Sequence, residues 1–291
     1  MRVFGLLLSL GISLPLFADT QVTTQIYDVD YGQQMGDEIL VLLTSGQVVK
    51  VTHHTKDIID EIQYWKEGNT NEWYTFNLDN DRNIVAVNPA TPKRQAVDLT
   101  KFDDMSSKSN YVPTTVADMA TAKKYHREGR RNKKDSQCFN RAMIWSYEWY
   151  RNHSVRSNKI LIFFTRNYIR RVNFEWWFHI APYLHIMENG KVVEKVMDLK
   201  YTSAPRSFRE WSNIFMKNDA ECPVITKYSE YADFPYTGEC YLYRTNMYTY
   251  QPADLQMHEA WGYTKTSFIM NEVKGAYLEA YDIHLDPSGA Q

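Results

Sequence analysis

Apolar and polar positions along the chain fall into two regimes. Before residue 100 they form short runs broken by turn signals. Residues 38–43 and 48–52 are strand-like and flank Thr44-Ser45-Gly46-Gln47, which predicts a hairpin. Residues 73–78 and 84–87 flank Asp79-Asn80-Asp81-Arg82, a second turn. Asp79, Asp81 and Asn83 have the spacing of a calcium loop but lack its glycine and closing glutamate, so the segment reads as a turn. Between the hairpins, Ile58, Ile59, Ile62 and Trp65 recur at helical intervals. The pattern predicts a small, mostly β unit over residues 19–98.

Farther along, the period lengthens. Phe139, Ala142, Met143, Ser146 and Trp149 mark one packed face of a helix that Asp135 or Ser136 would cap. Two strand-like runs, 174–187 and 192–199, then flank Asn189-Gly190, a strong two-residue hairpin signal. Pairing Glu188 with Lys191 sets the register. Ala181 then faces Asp198, and His179 is its diagonal neighbour on the same face. In that register His185 faces Glu194, which as a surface cross-strand pair is worth little.

Composition narrows the classes. The chain has 291 residues, 44% hydrophobic and 23% charged, enough for one large domain or two smaller ones and too apolar for disorder. The net charge of −2 argues against a nucleic-acid partner. That total hides an uneven spread: residues 19–114 carry −7, 115–215 carry +10 and 216–291 carry −6. The acidic first segment and the basic middle one are complementary, which predicts that they associate. Residues 99–114, polar and patternless over 103–110, form a linker, and the run from Lys123 to Lys134 reads as a solvated basic face, with a protease-sensitive connection or a contact for an acidic surface as the sharper readings.

Met1-Arg2 followed by a short apolar run, Pro15 and Ala18 predicts a signal peptide over residues 1–18. The run is too short for a membrane span, so the expected location is secreted or periplasmic, with no membrane partner. In such a compartment the cysteine count gains meaning, because disulfides persist there. Cys222 and Cys240 bracket a Tyr-, Pro- and Gly-containing loop, and closing it with a disulfide would contribute about 3 kcal/mol. Cys138 is left over. It lies in the first helical turn, where free N–H groups and the helix dipole favour a thiolate, so it is the candidate nucleophile. His179, amid Trp176, Trp177 and Phe178, is the candidate base, and Asp198 its orienting group. Parity along the strand selects Trp177 as the aromatic sharing the face of His179, hence as a substrate-binding wall. No pair of histidines has the zinc-helix spacing, so no metal or cofactor is expected.

Cys138 with Asn140-Arg141-Ala142 on a helix, His179 in a Trp-rich strand and Asp198 across a hairpin resemble the bacterial protein-glutaminase family. The resemblance spans roughly residues 120–256, through Ser207-Phe208-Arg209-Glu210-Trp211 and the segment from Cys222 to Cys240. It implies an α+β fold, papain- and transglutaminase-like, with the nucleophile's helix packed on an antiparallel sheet. It further implies deamidation of glutamine in proteins or peptides, and an N-terminal pro-region that covers the cleft. The expected division is a pro-region or accessory domain at 19–114, a catalytic domain at 115–260 and a C-terminal extension at 261–291. Two other functions share these residues: a transglutaminase or cysteine peptidase using the same triad, and a non-catalytic exported protein that binds through its Tyr- and Trp-rich surface.

Overall fold

The structure, a computed structural model, describes residues 20–52, 56–68, 72–91, 111–129 and 136–284. The expected signal peptide, most of the linker, the basic residues 130–134 and Asp135 lie outside them. The chain divides into two compact units: Met1–Val41 with Val49–Thr91, and Leu42–Val48 with Pro92–Gln291. This boundary is finer than the sequence predicts, because the tip of an N-terminal hairpin groups with the larger unit.

The first unit is built on two three-stranded sheets. One has the order β1 (Thr20–Thr24), β5 (Trp73–Leu78), β6 (Ile84–Ala90); the other joins β2 (Ile26–Asp30), β3 (Ile39–Leu43) and β4 (Val48–Val51). Inward and outward positions alternate along β5, as expected for a strand buried on one face. The helix α1 (Lys56–Gly68) buries Ile58 and Ile62 at the predicted interval. The β5–β6 connection is a turn: Asp79 accepts from the backbone N–H groups of Asp81 (2.9 Å) and Asn83 (2.8 Å).

The second unit carries a six-stranded sheet. Its main path runs β10 (Lys191–Val196), β9 (Phe178–Glu188), β8 (Asn158–Phe164), β12 (Cys240–Asn246), β11 (Val224–Ile225), with β7 (Thr115–Val116) pairing β9. All seven residues of β8 are buried, which fits its central place. The β9–β10 hairpin has the predicted register, Glu188 opposite Lys191, and both Asn189 and Gly190 take the positive φ that a two-residue turn requires. Helices α2 (Met119–Glu128), α4 (Arg166–Val172), α5 (Phe208–Met216), α6 (Ser229–Ala232) and α7 (Pro252–Trp261) join the elements around this sheet. A disulfide joins Cys222 to Cys240, as the cysteine count suggests.

The helix that begins at Cys138 differs from expectation in two ways. α3 (Cys138–His153) is not packed along one face: eleven of its sixteen residues are buried. The reason is that α3 packs against both β9 and α8 (Met270–Tyr281), a helix of the C-terminal extension. Tyr277 of α8 is buried, stacks edge-on against Tyr147 and donates to Glu148 at 2.9 Å. The extension is therefore core, not an appendage. The cap is also different: Gln137 takes the N-cap position in extended backbone with no side-chain cap bond. Ser136 instead uses its carbonyl, which accepts from the Arg141 guanidinium.

Candidate active site

Cys138 is the first residue of α3, so its main-chain N–H is among those with no partner inside the helix. Arg141, three positions on, lies on the same side of the helix and is buried. His179 is the second residue of β9 and pairs with Ile162 of β8, which fixes its height on the sheet. Asp198 follows β10, where Met197 N–H donates to the Pro182 carbonyl at 2.8 Å and carries the hairpin pairing one step past the strand. The His179 Nε2–H donates to Asp198 Oδ2 at 2.7 Å. That bond leaves Nδ1 as the free ring nitrogen, and the imidazole and the Cys138 thiol line one cleft and favour each other's charged forms. Cys138, His179 and Asp198 are thus brought together, all three buried.

Charge in this buried line is reinforced from several sides. Asp198 also accepts from Trp211 Nε1 at 2.9 Å and from the Lys200 main-chain N–H at 3.2 Å. Burial works against the ionised form of each member, yet each is held charged. For Cys138, the His179 hydrogen bond and charge and the Arg141 charge overcome burial and bring the thiol below its ordinary value. For His179, the Asp198 carboxylate and the thiol overcome burial and raise the imidazole to about 9. For Asp198, His179, Trp211 and Arg141 overcome burial and lower the carboxyl. The arrangement favours a thiolate–imidazolium pair.

Aromatic rings enclose the imidazole. The centroids of Phe215, Tyr201 and Trp211 lie 4.9, 5.1 and 5.7 Å from that of His179. A cleft of about 360 Å³ opens on the thiol and imidazole, lined among others by Arg141, Trp176, Tyr201 and Gln47. Among the described residues no group of His, Cys, Asp or Glu is arranged to hold a metal ion.

The cleft corrects one expectation. Trp177 is not its wall: the indole is fully enclosed, rests on Phe163 and Phe178, and donates to the Leu43 carbonyl at 2.8 Å. Trp176 lines the cleft in its place. The parity argument fails because β9 starts only at Phe178, and residues 175–177 form a bend with a single bridge at Trp176. Alternation does not extend back through a bend. His185 does pair with Glu194, at 3.6 Å, and both are partly exposed; Arg244 shares that carboxylate at 2.9 Å. This pair lies outside the cleft lining. Arg141, Trp211 and Gln47 are among the contributors that carry no assignment in the sequence, as are Lys200, Tyr201 and Phe215. The spacing of Arg141 from Cys138 is a usable signal; Trp211 and Gln47 arrive from distant segments and leave none.

Residues 114–215, which include all three aligned residues, match a protein-family model described as Glutaminase. A search of curated proteins by sequence found no match. Among solved structures, the crystal structure of a mutant of pro-protein-glutaminase is similar with a TM-score of 0.55 at 14% identity, over 92% of this chain and 95% of that one. The crystal structure of pro-protein-glutaminase itself is similar with a TM-score of 0.53, at the same identity and coverage. At that identity the likeness is one of fold, a mixed α+β architecture.

Proposed function

We propose that the chain is a hydrolase that deamidates glutamine side chains in proteins or peptides, through a thioester on Cys138. The observation that carries this reading is the buried Cys138–His179–Asp198 line at the start of α3, inside the stretch that matches the Glutaminase model. The thiolate attacks the carboxamide carbon of a bound glutamine. The Cys138 main-chain N–H, at the positive end of the helix, stabilises the oxyanion. His179, held by Asp198, protonates the departing nitrogen, and ammonia leaves. The same imidazole then takes a proton from water, which attacks the thioester and returns the thiolate. Cys138, His179 and Asp198 are the catalytic residues in this reading.

The fold shared with pro-protein-glutaminase supports treating residues 19–114 as a pro-region that restrains activity until the chain is cut. The Cys222–Cys240 disulfide supports an oxidising, exported setting. No described helix is long and apolar enough to cross a membrane.

Ammonia release from a glutamine-bearing peptide, without chain cleavage and without transfer to an added amine, tests the reading. Loss of release in Cys138→Ala is expected. Release that persists in that variant removes Cys138 as nucleophile; transfer to the amine, or cleavage of the peptide, reassigns the thioester to a transglutaminase or a peptidase.

A further inference from the structure

The β3–β4 turn, residues 42–48, belongs to the unit that holds Cys138, and it carries a glutamine. Gln47 lines the same cleft as Cys138 and His179. The residue is held there by main-chain pairing on both sides. Trp177 N–H donates to the Gly46 carbonyl at 3.0 Å, and Val48 N–H donates to the Glu175 carbonyl at 2.8 Å. Between these bonds Gln47 forms an antiparallel bridge with Trp176. The Trp177 indole adds a third tie, to the Leu43 carbonyl. Such strand-to-strand seating fixes a peptide's main chain while leaving the side chain between the bonds free to enter a pocket.

The neighbouring residue fits the same purpose. Gly46 takes φ +94°, which a side chain rarely adopts, and a Cβ there would lie 3.1 Å from the Phe178 ring and 3.4 Å from that of Trp176. Only glycine lets the turn approach the aromatic wall this closely. Ser45 Oγ donates to the carboxamide oxygen of Gln47 at 3.4 Å, so the amide is engaged at its oxygen and not at its leaving nitrogen.

We propose that Gln47 is a substrate of its own chain, converted in cis to glutamate by Cys138. This rests on the deamidase reading and names a modification site for it. The Cys138 sulfur bonds to the Gln47 side-chain carbonyl carbon; the C–N bond breaks, and the nitrogen takes a proton from His179 and leaves as ammonia. Water, giving a proton to His179, attacks the resulting thioester. The C–S bond breaks, the thiolate is restored, and the balance is glutamine plus water to glutamate plus ammonia. The product puts a carboxylate in a cleft whose lining also holds Glu175, Arg141 and Lys200, so conversion changes the charge of the occupant by one unit.

Mass spectrometry of the peptide containing residue 47 tests this on the full chain, beside ammonia release from a short end-blocked peptide with one glutamine. Glutamate at position 47 in the wild type, glutamine in Cys138→Ala, and a conversion rate unchanged on dilution are expected. Wild-type chain that deamidates the added peptide but keeps Gln47 as the amide overturns the inference and leaves the deamidase reading intact. Conversion that occurs equally in Cys138→Ala, or slows in proportion to dilution, overturns it as well. A chain that keeps Gln47 as the amide, and that deamidates the added peptide neither intact nor after a cut within residues 100–134, overturns both. Cys138→Ser serves as a second inactive variant with nearly the same shape, so a folding defect in the alanine variant does not decide the outcome.

Discussion

Trp211 and His179 donate to one and the same oxygen, Asp198 Oδ2, at 2.9 and 2.7 Å. The indole reaches it from α5, whose start is fixed by a reciprocal cap: Ser207 accepts from the Glu210 main-chain N–H, and Glu210 accepts from that of Ser207. Trp211 therefore acts through Asp198, holding the carboxylate where it can orient the imidazole. Trp211→Phe keeps a ring against His179 and Phe215 but removes the donor. A buried hydrogen bond to a charged group is worth about 1.5–3 kcal/mol, so kcat is expected to fall on the order of ten-fold or more with KM little changed. Asp198→Asn removes the charge itself and is expected to cost on the order of 10²–10⁴-fold in kcat. Steady-state kinetics on both variants check the order; a Trp211→Phe enzyme with wild-type kcat removes this positioning role.

The pH profile follows from the two opposed shifts. Cys138 is held below its ordinary value and His179 is raised to about 9, so the thiolate–imidazolium pair exists between them. Below the thiol's lowered value the pair gains a proton; above about 9 the imidazolium loses one. kcat/KM is expected to be bell-shaped, with its alkaline limb near 9 and an acid limb below the ordinary thiol range, both belonging to the pair. Asp198→Asn removes the charge that holds the imidazole up, so its alkaline limb moves to lower pH. The rate of alkylation of Cys138 against pH reads the same pair without turnover. A thiol that titrates at its ordinary value contradicts the ion pair.

Much of this line is legible in the sequence, and the reasons are local. Asn189-Gly190 admits one short turn, that turn fixes one register, and the register brings His179 within reach of Asp198. The odd cysteine count isolates Cys138 in the same way. What stayed illegible is non-local. Nothing near Trp211 in sequence points to Asp198, and the Thr44–Gln47 turn reads as an ordinary hairpin whichever partner its tip meets. Parity misplaces Trp177, because the backbone bends across residues 175–177 before β9 begins. The burial of most of α3 is not legible because the one-face pattern assumes that the other face meets water, and α8 packs there.

Latency follows from the proposed pro-region. Residues 19–114 carry −7 and residues 115–215 carry +10. A single cut within residues 100–134 is expected to raise kcat/KM on a protein substrate. After the cut, added salt is expected to raise it further, because screening weakens the attraction between segments of opposite charge. Assays of intact and cut chain at low and high salt check both effects. Equal activity before and after the cut makes residues 19–114 a permanent accessory domain.

The C-terminal extension reaches α3 through a largely buried chain of polar groups. Tyr250 donates its hydroxyl to Asn140, two residues beyond Cys138, and its main-chain N–H to Asp254 at 2.5 Å. Lys265, itself buried, lies 3.6 Å from Asp254 and hydrogen-bonds Glu272 of α8. One lysine thus lies against a buried carboxyl, Glu272, and a half-buried one, Asp254. Lys265→Met takes the hydrogen-bonded cation away from buried Glu272, and breaking a buried pair from one side typically costs about 3–5 kcal/mol. Glu272→Gln is expected to be milder at neutral pH. Burial, with Asp254 adding to it and Lys265 only partly opposing, has already raised that carboxyl to about 7, so the protonated form the amide imitates is populated there. The raised value means that the stabilisation tied to protonating Glu272 is complete below its unfolded value and is lost as pH rises through about 7. Urea unfolding of both variants between pH 5 and 8 checks the ranking, and Glu272→Gln is expected to lose that part of the wild-type pH dependence. If Lys265→Met is as stable as the wild type, the extension does not hold α3 through this chain.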